Sequence, residues 1–583
     1  MPSKLAMGYL PGEQELLNYI ADLETEGISN LRERTTKFSL AVRFVRGHQW
    51  ETRPPKYRTD ATYNFIHQTI DRKVALLTDS KPNIQVRALS GGNDGTATAL
   101  SKICEAIWQS ESMDLFLMEI IHYAALAGFA FADTWIDREY SEPRISAVDP
   151  RYLIYDPLVL RPQFLSKGEY VVTWGVMPLS EARDRYPKRA DDIMPDYTGE
   201  GIDTSGGGVT GRGAIISRLR TLLQSGPSEG RPQLLLPRCW VRQVWLKDRR
   251  RDKSGEPIYP GGRFIKIVGG VIVEDSPNPY IDRQFPHDML NWYFDVDGPW
   301  GNSEYDLLRS PQETMNKMIS SVVDNVLAIN NQVWIGDFNA LTEKEWAALA
   351  NVPGAKIKKR PGSEIRRDAP PALPPHIYSF LQLGIHSFEA LSGITEVMQG
   401  RRAGQVVSGA GIEALQQAAQ TTIRLKSRQI EAFLSRIGQK LIARIFQAYT
   451  ADRVFHTVGA DGKAEAYNFK RAEILKGHEN PARALRCYEF VVEPGSSLKM
   501  ARWQKTLLAS QLFQLGVIDE EELLDVVQWP NRKEIASRVA AKRAAMAAPM
   551  GPRAANLPHP ARISPQGGQM RVGGESMMEA GMT

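Results

Sequence analysis

Cysteine is scarce. Cys104, Cys239 and Cys487 are spread over 583 residues with no CxxC pair. That excludes a disulfide scaffold or a cysteine-based zinc site and predicts buried free thiols in a reducing compartment. Long apolar runs are missing too. The most hydrophobic window, 120–132, contains His122 and falls short of the roughly 20 residues needed to cross a bilayer. The opening Met1-Pro-Ser-Lys-Leu-Ala-Met7 has no apolar signal core, so a soluble, intracellular product is expected. Excess charge is absent as well: 72 basic against 67 acidic residues leave +5. A dedicated duplex-wrapping protein would be far more basic, so nucleic-acid contact is expected to be local or weak.

Catalytic signatures are equally thin. No GxxxxGK[ST] occurs, and the glycines of 206–213 lack the lysine and strand–helix setting of a phosphate cradle, so they read as a flexible loop. The nine histidines include no HExxH; His376 and His386, ten residues apart, read as surface positions rather than metal ligands. There is no GxSxG and no cysteine in a nucleophile setting. Asp191 and Asp192 read as solvated charge. Sites can be assembled from distant residues, but these absences favour a binding or structural role. Neither metal nor cofactor is expected.

What is present is helical periodicity with interspersed strands. Hydrophobic residues at 42% and charged residues at 24% suit a folded chain of two to four structural units. Helices are expected at 13–50, 64–78, 96–108, 115–127 and 179–186. Strands are expected at 83–87, 128–136 (buried on both faces), 145–148, 152–155, 170–176, 239–247 and 264–273. Residues 188–232 read as an exposed, glycine-rich loop. The stretch 303–398 holds two helical runs around a proline-bounded insert. In the first, Ser310 is placed as N-cap, Pro311 at the first turn and Glu313 in a capping box. Met315, Met318, Ile319, Val322, Val323, Val326 and Leu327 then form one apolar stripe. The second run, 376–398, puts Ile377, Phe380, Leu381, Ile385, Phe388, Leu391 and Ile394 on one side. The insert contains a strand at 333–335, a helix opened by a Thr342/Glu345 capping box, and a basic segment. A break at 399–411 precedes a long helix over 412–449, strands at 467–469 and 485–492, helices at 499–515, 519–527 and 531–547, and a disordered tail from Pro549.

Several blocks in this order resemble portal (head-to-tail connector) proteins of tailed bacteriophages. They are Asn64–Val86; Ala124–Asp137 with Ile145–Arg151 and Asp156-Pro157; Trp300–Ser303 leading into Gln312–Asn316; Leu391–Gly400; and Tyr488–Gly495 with Leu515–Asp519. The resemblance implies an α+β, predominantly helical fold, with an α/β wing (1–302), stem helices (303–329 and 376–398) and a small α/β clip (330–375). It also implies a tunnel loop (399–411), a long tunnel helix with wing strands (412–498), a helical crown (499–548) and a tail (549–583). It further implies a non-enzymatic ring of about twelve subunits at a single capsid vertex of the virion, assembled in the host cytoplasm with no membrane. Double-stranded DNA would pass non-specifically. Terminase, major capsid and scaffolding proteins, and tail or adaptor proteins would be partners.

Site residues follow from that resemblance. Arg401, Arg402, Gln405 and Ser408 match the DNA-facing tunnel loop, against a plain loop as the alternative. Lys356, Lys358, Lys359, Arg360, Arg366 and Arg367 form a basic clip cluster, either solvated or docking a partner. Met315, Met318, Ile319, Val322, Val323, Val326, Phe380, Leu381 and Phe388 are expected to pack the stem. Arg424, Lys426, Arg428, Arg436, Lys440 and Arg444 on the long helix are expected mostly in intersubunit ion pairs, a minority facing the lumen. The rival readings are a non-pore tail adaptor or scaffold, and a packaging ATPase or nuclease.

Overall fold

The computed structural model describes residues 12–52, 55, 58–79, 81–197, 236–330, 333–347, 349, 357–368, 374, 376–394, 421–450, 452–458, 464–471, 481–493, 499–527, 535–539 and 541–542. The first helix, α1 (Glu13–Val45), buries Leu16, Leu17, Ile20, Ile28, Leu31 and Phe38 along one face, as three- and four-residue spacing requires. Then come α2 (Phe65–Thr78), capped by the Asn64 side chain accepting from the His67 N–H, α3 (Asp94–Ser110) and α4 (Met113–Ala127). Gly128 ends α4 in the left-handed region, and a Cβ there would run into the Gly301 carbonyl. Conformation and close approach both demand glycine.

Two antiparallel sheets form the body. One has the order β3 (Glu142–Val148), β2 (Phe129–Asp137), β9 (His287–Asn291). The other runs β4 (Leu153–Tyr155), β5 (Tyr170–Pro178), β6 (Arg238–Leu246), β7 (Arg263–Val268), β8 (Val271–Pro277), with α5 (Leu179–Arg185) beside it. The single strand expected over 264–273 is in fact the hairpin β7–β8. Gly269 and Gly270 both take positive φ, the backbone a tight primed turn needs.

β2 is buried on both faces, as expected. Phe129 and Phe131 join the core between the sheets and α1, while Ala130 and Ala132 join the core of α2, α3, α4 and the long helix α9 (Thr421–Ala448). β1 (Ile84–Ala88) pairs with β14 (Tyr488–Val492), tying the C-terminal region back to the start of the chain. β12 (Arg453–Val458) and β13 (Ala464–Phe469) form a hairpin, of which the sequence had suggested only the second strand. Helices α10 (Lys499–Gln514) and α11 (Glu520–Val527) follow. Asp519 accepts from the Glu522 N–H to cap the latter.

An arm leaves the body as α6 (Glu304–Asn330) and returns as α8 (His376–Ser392). Between them lie the antiparallel pair β10 (Val333–Gly336) and β11 (Ile365–Asp368), with the short helix α7 (Glu343–Ala347). The start of α6 corrects the sequence reading. The helix begins about two turns earlier than expected. Ser303 Oγ accepts from the Asp306 N–H at 3.1 Å, and the Asp306 carboxylate accepts from the Ser303 N–H at 2.9 Å. Pro311 sits inside the helix, and Glu313 pairs with Arg309 at 2.7 Å instead of capping. Burial of Glu304, Tyr305 and Leu308 outweighs the local cost of an interior proline. At α7 the expected box is present: the Glu345 carboxylate accepts from the Thr342 N–H at 2.8 Å and its hydroxyl at 2.7 Å.

Candidate functional site

α6 meets the body through a polar ladder. Gln312, Asn316, Ser320 and Asp324, each four residues apart, accept from the backbone N–H groups of Ile66, Tyr63, Ala61 and Thr59 at 3.1, 3.2, 3.1 and 2.8 Å. Four residues of helix rise about 6 Å, and two residues of extended chain rise about 6.6–6.8 Å, so Asn316, Ser320 and Asp324 stay in step with Tyr63, Ala61 and Thr59, while Gln312 reaches the first turn of α2 at Ile66. Asn316 also donates to Gln49, and Gln312 to the Tyr63 carbonyl. From sequence, Gln312 and Asn316 entered only as the ends of one family block, and none of the four was given this anchoring role; a polar stripe at i, i+4, i+8 and i+12 was the available signal. Of the residues expected to pack the stem, Met315 and Phe388 are buried, while Met318, Ile319, Val322, Val323 and Leu381 are half-buried. Val326 and Phe380 are exposed.

α9 fastens to the body with the opposite polarity. β9 is an edge strand, and an edge carries unpaired main-chain groups. Lys440 Nζ donates to the His287 carbonyl and Arg436 Nη2 to the Met289 carbonyl, both at 2.7 Å. Arg444 Nε donates to the Thr134 carbonyl at 3.1 Å, and Lys426 Nζ to the Trp292 carbonyl. Carboxylates balance the charge: Asp288 lies 2.7 Å from Lys440 and 3.6 Å from Arg436, and Asp282 lies 3.0 Å from Arg444. The Arg444 guanidinium also sits 3.5 Å from the Tyr280 ring centre. These cations therefore have partners within the chain, correcting the expectation that placed them between subunits or in a lumen. Burial against a strand edge is what recruits them. Arg424 and Arg428 alone of the group are exposed.

Two groups beside this ladder are strongly perturbed. Burial, reinforced by Lys440, pushes His287 down to about 3. Burial pushes Asp133 up to about 7, against the pull of Arg444 and Lys440. A second node joins four elements. Glu304, fully buried in the first turn of α6, accepts from Lys73 at 2.6 Å, Trp292 Nε1 at 2.7 Å and the Tyr293 hydroxyl at 2.9 Å. An anion at a helix N-terminus is favoured by the aligned peptide dipoles. Lys426 lies 3.4 Å from the Tyr293 ring centre, and burial brings its ammonium down to about 7, with Glu304 opposing.

At the far end of the arm, Lys358, Lys359, Arg360, Arg366 and Arg367 are all exposed. Arg367 covers the Trp334 ring at 4.2 Å, and Phe338 is 96% exposed. Lys356, and the loop residues Arg401, Arg402, Gln405 and Ser408, lie outside the described residues, as do segment 198–235 and the tail.

α8 carries apolar groups on both sides of its packed edge. Phe388 is buried, whereas Tyr378, Phe380, Ile385 and Leu391 are exposed. At about 100° per residue, Tyr378 and Ile385 lie some 60–80° to one side of Phe388, and Phe380 and Leu391 equally far to the other.

Among the described residues no His/Cys/Asp/Glu group could hold a metal ion, and no helix is long and apolar enough to cross a membrane. All three cysteines are free and buried. The described residues thus form a mixed α+β body with a helical arm that ends in an exposed basic and aromatic tip. The family model for phage P22-like portal proteins matches residues 25–252 and 263–580, and the chain belongs to that family. No curated protein matches it. The family is a structural, non-enzymatic one of virion components with a head–tail connector role.

Proposed function

We propose that this chain assembles into a closed ring of about twelve copies at one capsid vertex, forming the channel for double-stranded DNA packaging and ejection. In this reading the two sheets and their helices are the wing, α6 and α8 the stem, and the β10–β11 tip the clip. α9 with the 399–411 loop borders the channel, and the helices from Lys499 form the crown. The terminase docks first and tail or adaptor proteins later, on the basic, aromatic clip. Assembly takes place in the host cytoplasm.

The observation that carries the reading is the doubly flanked α8. An isologous dimer needs one exposed apolar flank; a helix with two needs a neighbour on each side, which a heterologous ring supplies. The chemistry of α9 fits the same role. With Lys426, Arg436, Lys440 and Arg444 engaged inside the chain, the exposed cations on the described part of α9 are Arg424 and Arg428, a sparse grip on phosphates that lets duplex DNA slide.

Negative-stain imaging and mass measurement of the purified protein test the ring: closed rings support it, and a stable monomer at high concentration overturns it. For the channel, Arg401→Ala with Arg402→Ala should leave rings intact but lower the DNA content of particles. Wild-type DNA content would remove that loop from the mechanism.

A further inference from the structure

β2 changes character along one face. Phe129 and Phe131 fill the core between the two sheets. The next three residues on that face are Asp133, Trp135 and Asp137, since side chains two apart share a face. Here the sheets part into a cleft of about 770 Å³, which these three line together with Trp245, Phe264, Tyr186 and Tyr280. A carboxylate on the inward face of a strand is costly without a partner. Asp133 Oδ1 is sealed from solvent and accepts no hydrogen bond from the described residues. His287 Nδ1, itself unpartnered, stands 3.7 Å away.

Ion pairing leaves the cleft with a surplus of acid. Arg138 is taken by Glu274 at 2.8 Å, and Arg185 lies 3.9 Å from Glu181. Arg144 pairs with Glu111 and Glu142 and comes only within 4.0 Å of Asp137. Behind Asp133, Arg444 and Lys440 lie against Asp282 and Asp288. Among the described lining residues that sets Asp133, Asp137 and the exposed Glu139 against Lys266, which rests on the Tyr186 ring.

The rings supply the other half of a cation site. Trp135 is half-buried, and its Nε1 donates to Ser146 Oγ at 3.3 Å, which fixes the indole. Indole faces attract cations more strongly than other side-chain rings. Two of the chain's own cations already sit on rings of this cleft, Lys266 on Tyr186 and Arg444 on Tyr280. Asp133 and Asp137 stand roughly 13 Å apart along β2 at 3.3–3.4 Å per residue, with Trp135 midway. A single ammonium meets one carboxylate. A chain with an ammonium at each end meets both, and lays its methylenes on the ring between them as a lysine stem does on apolar surface.

We propose that this cleft binds a linear polyamine, with ammonium groups at Asp133 and Asp137 and methylenes across Trp135. The site lies within one chain, so it stands apart from the ring reading. The test is equilibrium dialysis of the purified full-length protein against labelled spermidine at pH 8. At that pH Asp133, pushed up to about 7 by burial, is mostly ionised. One spermidine should bind per chain, and butylamine, with a single ammonium, at least tenfold more weakly. Asp133→Asn, Asp137→Asn and Trp135→Leu should each lower spermidine affinity at least tenfold with circular dichroism unchanged. Asp137 ends the strand, so its variant decides the matter should the inner two fail to fold. Butylamine binding as tightly as spermidine, or Asp137→Asn binding like wild type, would overturn the site. So would uptake without fixed stoichiometry that about 0.15 M salt abolishes, the mark of screened surface charge.

Discussion

α6 and α9 solve one problem in opposite ways. Each runs a side-chain ladder along exposed main chain, but α6 offers acceptors to N–H groups while α9 offers cations to carbonyls. The difference sets how firmly each is held. Bonds like those of Gln312, Asn316 and Ser320 contribute about 0.5–1.5 kcal/mol apiece. The α9 cations sit in buried pairs, where removing one partner strands a charge at about 3–5 kcal/mol. α9 is therefore fastened by buried charge along its length, whereas α6 has one such anchor, Glu304 paired with Lys73 in its first turn, and is held more lightly from Gln312 to Asp324.

The largest expected break is Asp288→Ala. It leaves Lys440 and Arg436 without their shared carboxylate, both with buried or half-buried side chains, and should lower urea-unfolding stability by about 3–5 kcal/mol. A loss below that of an ordinary surface change would mean the ladder carries little.

Next is the pH response of Lys426. Its folded value of about 7 lies below the unfolded 10.5, so between them the unfolded chain binds more protons. Stability should rise from pH 7 to 10.5 and be lost as pH falls through 7. Replacing Lys426 by Met should flatten that slope; an unchanged slope would assign it to other groups.

In the α6 ladder, Asn316→Ala should cost about 1–3 kcal/mol by orphaning the Tyr63 N–H and Gln49. Equality with Asp288→Ala would erase the contrast between the helices. The smallest effect belongs to Arg424→Ala with Arg428→Ala. Both side chains are exposed, and unfolding should stay within about 0.5 kcal/mol of wild type.

The sequence made the helices legible because their apolar spacing is local: α2, α4 and α8 start within two residues of their expected positions. The β7–β8 turn was written in Gly269-Gly270 but lay within an apolar run that hid it. The start of α6 was misplaced because two cap signals compete, and burial of Glu304, a long-range effect, decides between them. The ladders were beyond a local reading. Gln312 is matched to Ile66, and Lys440 to the edge of β9, only once the chain has folded, and main-chain partners leave no mark in composition. Basic residues on α9 looked available for partners because strand-edge carbonyls cannot be seen in a sequence.

The two exposed flanks of α8 give the most direct test of the central claim. One variant, Tyr378→Asp with Ile385→Asp, breaks one flank; a second, Phe380→Asp with Leu391→Asp, breaks the other. Native mass measurement of each alone should give monomers. An equimolar mixture should give a heterodimer and stop there, because each variant keeps the flank the other lost. Homodimers of either variant alone, or a mixture that stays monomeric while wild type forms rings, would contradict a head-to-tail ring built through this stem.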